Sequence, residues 1–244
     1  MKLISRISKT PNWIAGRLMN LIKKGDFGTV SEKCSAEMPI APSECFVNNV
    51  YLSVDAATAC ELERLRYEEG VIPSCQLGCC HCCQYLILTN IAEARTLAQY
   101  IKQKFSAEQI SDLRMRTRQW HEWDNSRPGR YPAANIAHPV DLLGYNPCCP
   151  LLVNAACSAY PVRPLVCRTH FVCSQPRYCA LANNPDSTEA SPVVIASIVT
   201  AASPFATAIR EHIENAGREF SHSVMLLPQW LAIEMGWNTF QSAP

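Results

Sequence analysis

A mainly α fold, with irregular cysteine-rich loops and at most a short strand or two, is what this sequence predicts. Three observations carry that expectation. Apolar residues recur at three- and four-residue spacing in several segments, and a single short run, Tyr85–Thr89, reads as a strand. The 14 cysteines fall mostly in two dense groups, and the stretches around them are rich in Pro, Asn and Gly.

Taken in order, residues 1–45 read as a basic helical arm. Ile14, Leu18, Leu21 and Ile22 fall at helical spacing with Arg17, Lys23 and Lys24 around them. Such a helix, over 12–24, either docks on the body of the protein or lies on a membrane surface. The remainder, 46–244, reads as one domain. A helix is expected over 55–69, capped by Asp55 and ended by Gly70. A second covers 91–104, where Asn90 stands three residues before Glu93 in a capping-box pattern and Ala94, Leu97 and Ile101 share a face. A third opens at Ser106, three before Gln109, with Ile110, Leu113 and Trp120 at helical intervals. Residues 124–150 are loop-like. Helical patterns return over 193–216 and 229–235, placing the C-terminal helices within 190–240. Trp120, Trp123, Trp230 and Trp237 read as core or helix-packing residues.

Composition excludes several classes. The 244-residue chain carries 22 Lys+Arg against 21 Asp+Glu, so charge gives no case for a nucleic-acid partner. Its 9 glycines include no pair spaced as a phosphate-cradling or dinucleotide-binding loop requires. The basic start lacks a secretory apolar core, which sets the expected address as a reducing cytoplasm. Ala190 to Ile209 is uncharged, but Pro192, Pro204 and five Ser/Thr make it too polar and interrupted to span a membrane. A buried core helix is the expectation there.

The cysteines are the unusual feature, about 6% of the chain. Cys34, Cys45 and Cys60 are scattered and read as ordinary buried or unligated thiols. Cys75, Cys79, Cys80, Cys82 and Cys83 lie within nine residues; Cys148, Cys149, Cys157, Cys167, Cys173 and Cys179 follow about 65 residues later. Taken as a helix at about 100° per residue, Cys75, Cys79, Cys82 and Cys83 share one face, and Cys80 and His81 point away. Thiolates this crowded repel one another unless a cation offsets them, and soft thiolates select zinc, copper(I) or iron–sulfur clusters. Arg163 and Arg168, which flank Cys167, are candidates to balance the remaining negative charge at a bound cofactor. Of the histidines, His138 and His170 lie near the second group. His170, three residues after Cys167, is the candidate auxiliary ligand, and its alternative is an ordinary surface or core histidine. His121, His212 and His222 have no motif around them.

The segment CQLGCCHCC followed by QYLILTNIAEARTLAQYI resembles the opening of the YkgJ-like family of cysteine-cluster proteins, described as zinc- or iron-chelating. Cys75, Cys79, Cys82 and Cys83 take its first cysteine positions, with Thr89, Glu93 and Ala94 behind them. CPLLVNAACSAYPVRPLVCR is similar to the family's second signature. Cys149, Pro150, Leu152, Cys157, Tyr160, Arg163, Pro164, Cys167 and Arg168 occupy its positions. A further family cysteine corresponds to Cys179, or less well to Cys173. The resemblance covers residues 73–182. It implies a metal ligand set of Cys75, Cys79, Cys82, Cys83, Cys149, Cys157, Cys167 and Cys179, holding an iron–sulfur cluster or zinc. Cys80, Cys148 and Cys173 are extra to the pattern.

The expected function is therefore metal binding through two cysteine motifs, with helices packed around the site and the metal contributing folding energy. Eight thiols suit one polynuclear site or two mononuclear ones. An iron–sulfur cluster is favoured over zinc, because no histidine sits at a finger-like spacing. The expected partners are a metal ion or cluster and a protein of unknown kind. Whether the protein is an enzyme is open. Cys75-x-x-x-Cys79-x-x-Cys82 has radical S-adenosylmethionine spacing, but His81 stands where an aromatic is usual and no strand–helix alternation suggests a barrel. Flagellin lysine N-methylases carry a similar cluster, yet they are longer and nothing here reads as a methyl-donor site. A thiol redox-switch module is the third alternative, permitted by adjacent thiols and an even cysteine count.

Overall fold

In the computed structural model, residues 42–76, 78–126, 147–182 and 191–237 are described. The chain divides into one unit ending at Phe46 and another running from Val47 to Pro244. The expected arm with Cys34, most of the 124–150 loop, and His138 lie outside the described residues. The architecture is mainly helical, with four short strands in two antiparallel pairs among the described residues.

Helix α1 is Pro42–Arg64, longer at its start than the expected 55–69. The missed signal lies upstream, where Val47, Val50, Tyr51 and Val54 recur at helical spacing and are buried. Asp55 is thus inside a helix and does not cap one. The chain then widens into a π turn, Leu65–Glu69, which Gly70 closes in the left-handed region at φ 67°, its N–H donating to the Leu65 carbonyl. The expected stop at Gly70 holds.

The strand is shifted relative to Tyr85–Thr89. β1 is Leu88–Asn90, paired antiparallel with β4, Val224–Leu226, in the register Leu88↔Leu226 and Asn90↔Val224. Helix α2, Ile91–Lys104, follows β1 directly, and α7, Leu227–Glu234, follows β4 directly. The strand pair therefore sets two helix starts side by side. Asn90 caps α2 as expected, its Oδ1 accepting from Glu93 N–H at 3.0 Å. At α3, Ala107–Ser126, Ser106 Oγ accepts from Gln109 N–H at 3.2 Å and Gln109 Oε1 accepts from Ser106 N–H at 2.8 Å, a complete capping box.

Helix α7 packs on both α2 and α3. Leu97 and Ile101 of α2, Leu113 and Trp120 of α3, and Leu227 and Leu231 of α7 are buried in this layer. Each of the aliphatic side chains stabilises the fold by about 1.5–3 kcal/mol relative to exposure. Trp230 and Trp237 are buried as expected; Trp123 is half-buried.

After α3 come the hairpin strands β2, Leu152–Val153, and β3, Ala156–Cys157, and three helices: α4, Leu165–Thr169, α5, Pro176–Leu181, and α6, Ala196–Asn215. The face of α6 carrying Ile198, Ala202, Phe205, Ile209 and Ile213 is buried. Pro204 removes one N–H from that helix, orphaning the Thr200 carbonyl, and the Ser203 hydroxyl donates to it at 2.8 Å. Among the described residues, no helix is long and apolar enough to cross a membrane.

Candidate functional site

The first cysteine window is not helical as far as Cys80. It has no regular secondary structure up to Gln76, turns at Gly78, whose φ of 88° suits glycine, and enters a 3-10 turn at His81–Gln84. The helical-face argument for Cys75, Cys79, Cys82 and Cys83 is thereby corrected: adjacent thiols and a glycine turn favour compact loop bonds over a continuous helix. Cys79 N–H donates to the Gln76 carbonyl at 3.0 Å, and Cys83 N–H to the Cys80 carbonyl at 3.0 Å.

Backbone hydrogen bonds tie this window to the second group. Cys149 N–H donates to the Cys83 carbonyl at 2.7 Å, and Ser74 N–H to the Val172 carbonyl at 2.9 Å. Val172 N–H reaches Cys75 Sγ at 3.4 Å. The β2–β3 hairpin sets Cys157 opposite Leu152, and Leu152 N–H donates to the Cys149 carbonyl at 2.9 Å. Its two turn residues, Asn154 at φ 50° and Ala155 at φ 59°, are both left-handed, as a two-residue hairpin turn demands. Helix α4 carries Cys167. Helix α5 carries Cys179 and packs on the turn at His81–Gln84.

The thiols so assembled influence one another. Burial pushes the Cys75, Cys149, Cys157, Cys167 and Cys179 thiols up, and the neighbouring sulfurs push the same way. The adjacent Cys83 thiol favours thiolate at Cys82, and the Arg163 charge acts in the same direction. Cys82 is within electrostatic reach of Cys75, Cys83, Cys149, Cys157, Cys167 and Cys179. Seven of the eight sequence-selected cysteines are thus linked through Cys82, and Cys79 is within electrostatic reach of Cys75 and Cys179. Cys60, Cys148 and Cys173 are exposed, and Cys80 is half-buried. Among the described residues, however, no three His, Cys, Asp or Glu side chains converge as a closed coordination sphere would require. The donor chemistry fits a soft metal; the closed sphere is not formed in this arrangement.

The two candidate arginines separate. Arg163 stacks over Tyr160, 3.8 Å from the ring centroid, and its charge favours thiolate at Cys82 and Cys157. Arg168 is committed to the scaffold. Its Nε donates to the Arg163 carbonyl at 2.9 Å, its Nη1 to Asp55 at 2.6 Å and its Nη2 to the Pro161 carbonyl, and the guanidinium lies 4.1 Å from the Tyr51 ring centroid. With a side chain only 2% exposed, it is placed to brace the loop before α4 against α1.

Glu93 has a part that its capping pattern only half revealed. Its carboxyl is buried, with Oε1 accepting from Tyr51 Oη at 3.2 Å and from Leu165 N–H at 2.7 Å. Oε2 accepts from Thr89 Oγ1 at 3.1 Å and from Asn90 Nδ2 at 2.7 Å. Leu165 is the first residue of α4, so a side chain on α2 satisfies an orphan donor of the helix that carries Cys167. Burial raises the carboxyl above the usual range.

His170 Nε2 and Tyr85 Oη are two buried polar atoms that stand out. Their rings meet edge to face, with centroids 5.5 Å apart. Burial lowers the His170 pKa, favouring neutral imidazole, and raises that of Tyr85, with Cys179 the next contributor. Sequence reasoning singled out His170 but placed Tyr85 in a strand. His121 is instead a packing residue, its Nε2 3.1 Å from the Pro228 carbonyl. No family model, curated protein or solved structure matches this chain.

Proposed function

We propose that this protein binds a soft metal, as zinc or an iron–sulfur cluster, through Cys75, Cys79, Cys82, Cys83, Cys149, Cys157, Cys167 and Cys179. This reading also carries the resemblance to the YkgJ-like family. One observation supports it above the others: two segments about 65 residues apart are stitched by the Cys149–Cys83 backbone bond, which brings thiols of the second segment within electrostatic reach of Cys82 in the first. Buried thiols that each raise a neighbour's pKa are a poor arrangement for thiolates alone and a favourable one around a cation, which lowers all of them together. Side-chain rotation at χ1 is expected to close the sphere on binding. Arg163 offsets part of the excess negative charge.

The test is anaerobic purification of the full chain with elemental analysis and an absorption spectrum. The expected result is on the order of one or more metals per chain with thiolate charge-transfer bands. Colourless protein with less than about one metal of any kind per chain sinks the proposal.

A second reading has its own observation, the adjacent thiols Cys82 and Cys83 in the turn His81–Gln84. Paired thiols of unequal acidity suit dithiol redox chemistry, in which two electrons and two protons pass to an oxidant as one S–S bond forms. A change of intact mass by two protons on treatment with reductant favours that reading, and a native chain already fully reduced removes it.

A further inference from the structure

Tyr51 and Asp55 stand four residues apart on α1, so their side chains leave the helix on one face. Each meets a group that fixes α4, the helix of Cys167. Asp55 Oδ2 accepts from Arg168 Nη1 at 2.6 Å. The Tyr51 hydroxyl donates to Glu93 Oε1 at 3.2 Å, and the same oxygen accepts from Leu165 N–H at 2.7 Å. Tyr51 also joins the two arms, since the Arg168 guanidinium lies 4.1 Å from its ring centroid. One face of α1 thus acts on the first residue of α4 and on a residue of its last turn.

Three members of this chain of contacts are shut off from water and the fourth is not. Tyr51, Glu93 and Arg168 are 2%, 4% and 2% exposed, whereas the Asp55 side chain is 47% exposed. A buried guanidinium needs its counter-charge in place. Without the Asp55 carboxylate, Arg168 regains solvation only by swinging outward. That motion releases the Arg163 and Pro161 carbonyls to which it donates and disturbs the backbone beside Cys167. Helix α4 resists weakly by itself, because its five residues are far fewer than a helix needs to stand alone. Its packing on β1 and α6 keeps the event local, an opening of α4 with the rest of the fold in place.

We propose that α1 is a clasp on the cysteine group: Tyr51 and Asp55 keep Cys167 seated, and Asp55 is the solvent-facing catch through which α4 is released. All the residues named are positioning residues. The clasp acts with or without a bound metal, so it goes beyond the metal-binding reading and stands apart from it.

Site-resolved hydrogen exchange of the full chain, as purified, tests it. The amides of Cys167 and Arg168 both donate to the Pro164 carbonyl, at 2.9 and 3.1 Å, and report the seating of α4. Asp55→Ala should raise their exchange by at least about tenfold and leave that of Leu97 and Ile101 in α2 at the wild-type rate. Asp55→Asn keeps an oxygen for Arg168 Nη1 and should fall between wild type and Asp55→Ala. Tyr51→Phe removes only the hydroxyl and should raise exchange at Leu165. Unchanged exchange at Cys167 and Arg168 in Asp55→Ala overturns the clasp. So does an equal rise in α2 and α4, which marks a general loss of stability.

Discussion

At the scale of single residues, the two arginines of one short motif have separate tasks. Arg168 is buried and bonded to two carbonyls and a carboxylate, so Arg168→Ala leaves those acceptors short of donors and is expected to cost about 2–3 kcal/mol. Arg163 is less buried and bonded weakly, to the Tyr160 carbonyl at 3.5 Å, so Arg163→Ala should cost less than about 1 kcal/mol. Urea denaturation of both variants checks this, and equal losses contradict the division. Among cysteines, Cys82→Ser and Cys167→Ser should lose metal, whereas Cys60→Ser, at an exposed position on α1, should retain the wild-type content. Elemental analysis of the three variants decides, and equal loss from all contradicts the ligand assignment. The two cysteine groups could be picked out from sequence because cysteine crowding is visible in one dimension. The allegiance of Arg168 could not, since Asp55 lies 113 residues away.

At the scale of elements, two local features control how the cysteine-bearing segments are held. Glu93→Ala removes the acceptor for Tyr51, Thr89, Asn90 and the first N–H of α4. A loss of about 2–4 kcal/mol is expected, with the Cys167 segment opening first. Hydrogen exchange at Leu165–Thr169 in Glu93→Gln and Glu93→Ala measures it; unchanged protection there contradicts the capping role. The β2–β3 turn gives the opposite sign. Ala155 holds a left-handed conformation that glycine adopts without strain, so Ala155→Gly should stabilise by about 0.5–1 kcal/mol, read as a higher urea midpoint. Helix starts at Asn90 and Ser106 were legible because capping boxes are three-residue signals. The early start of α1 was also written in the sequence, in Val47, Val50, Tyr51 and Val54, but an acidic residue at 55 imitates a cap. The 75–83 window misled because four cysteines at helical spacing satisfy a helix and a turn equally; Gly78 marked the turn.

At the scale of the whole molecule, a helical layer of α2, α3 and α7 has an ordinary apolar core, while the cysteine-bearing side is made of short elements joined by scattered backbone bonds. Stability is therefore expected to be uneven. Under the metal-binding proposal, chelation without oxygen should lower the melting temperature by at least about 5 °C and loosen residues 147–182 before the α2–α3–α7 layer. Calorimetry with hydrogen exchange reads both, and an unchanged transition contradicts a metal contribution to folding. The sequence alone determined the helical class, the starts of α2 and α3, and the grouping of the cysteines along the chain. These rest on periodicity, capping and local density, which act over a few residues. Only the tertiary structure decided that Arg168 braces the scaffold, that Glu93 caps a helix 72 residues away, and that the rings of His170 and Tyr85 meet edge to face. Those outcomes depend on which distant groups are desolvated together, and burial of a polar atom is a property of the packed chain that no local spacing encodes.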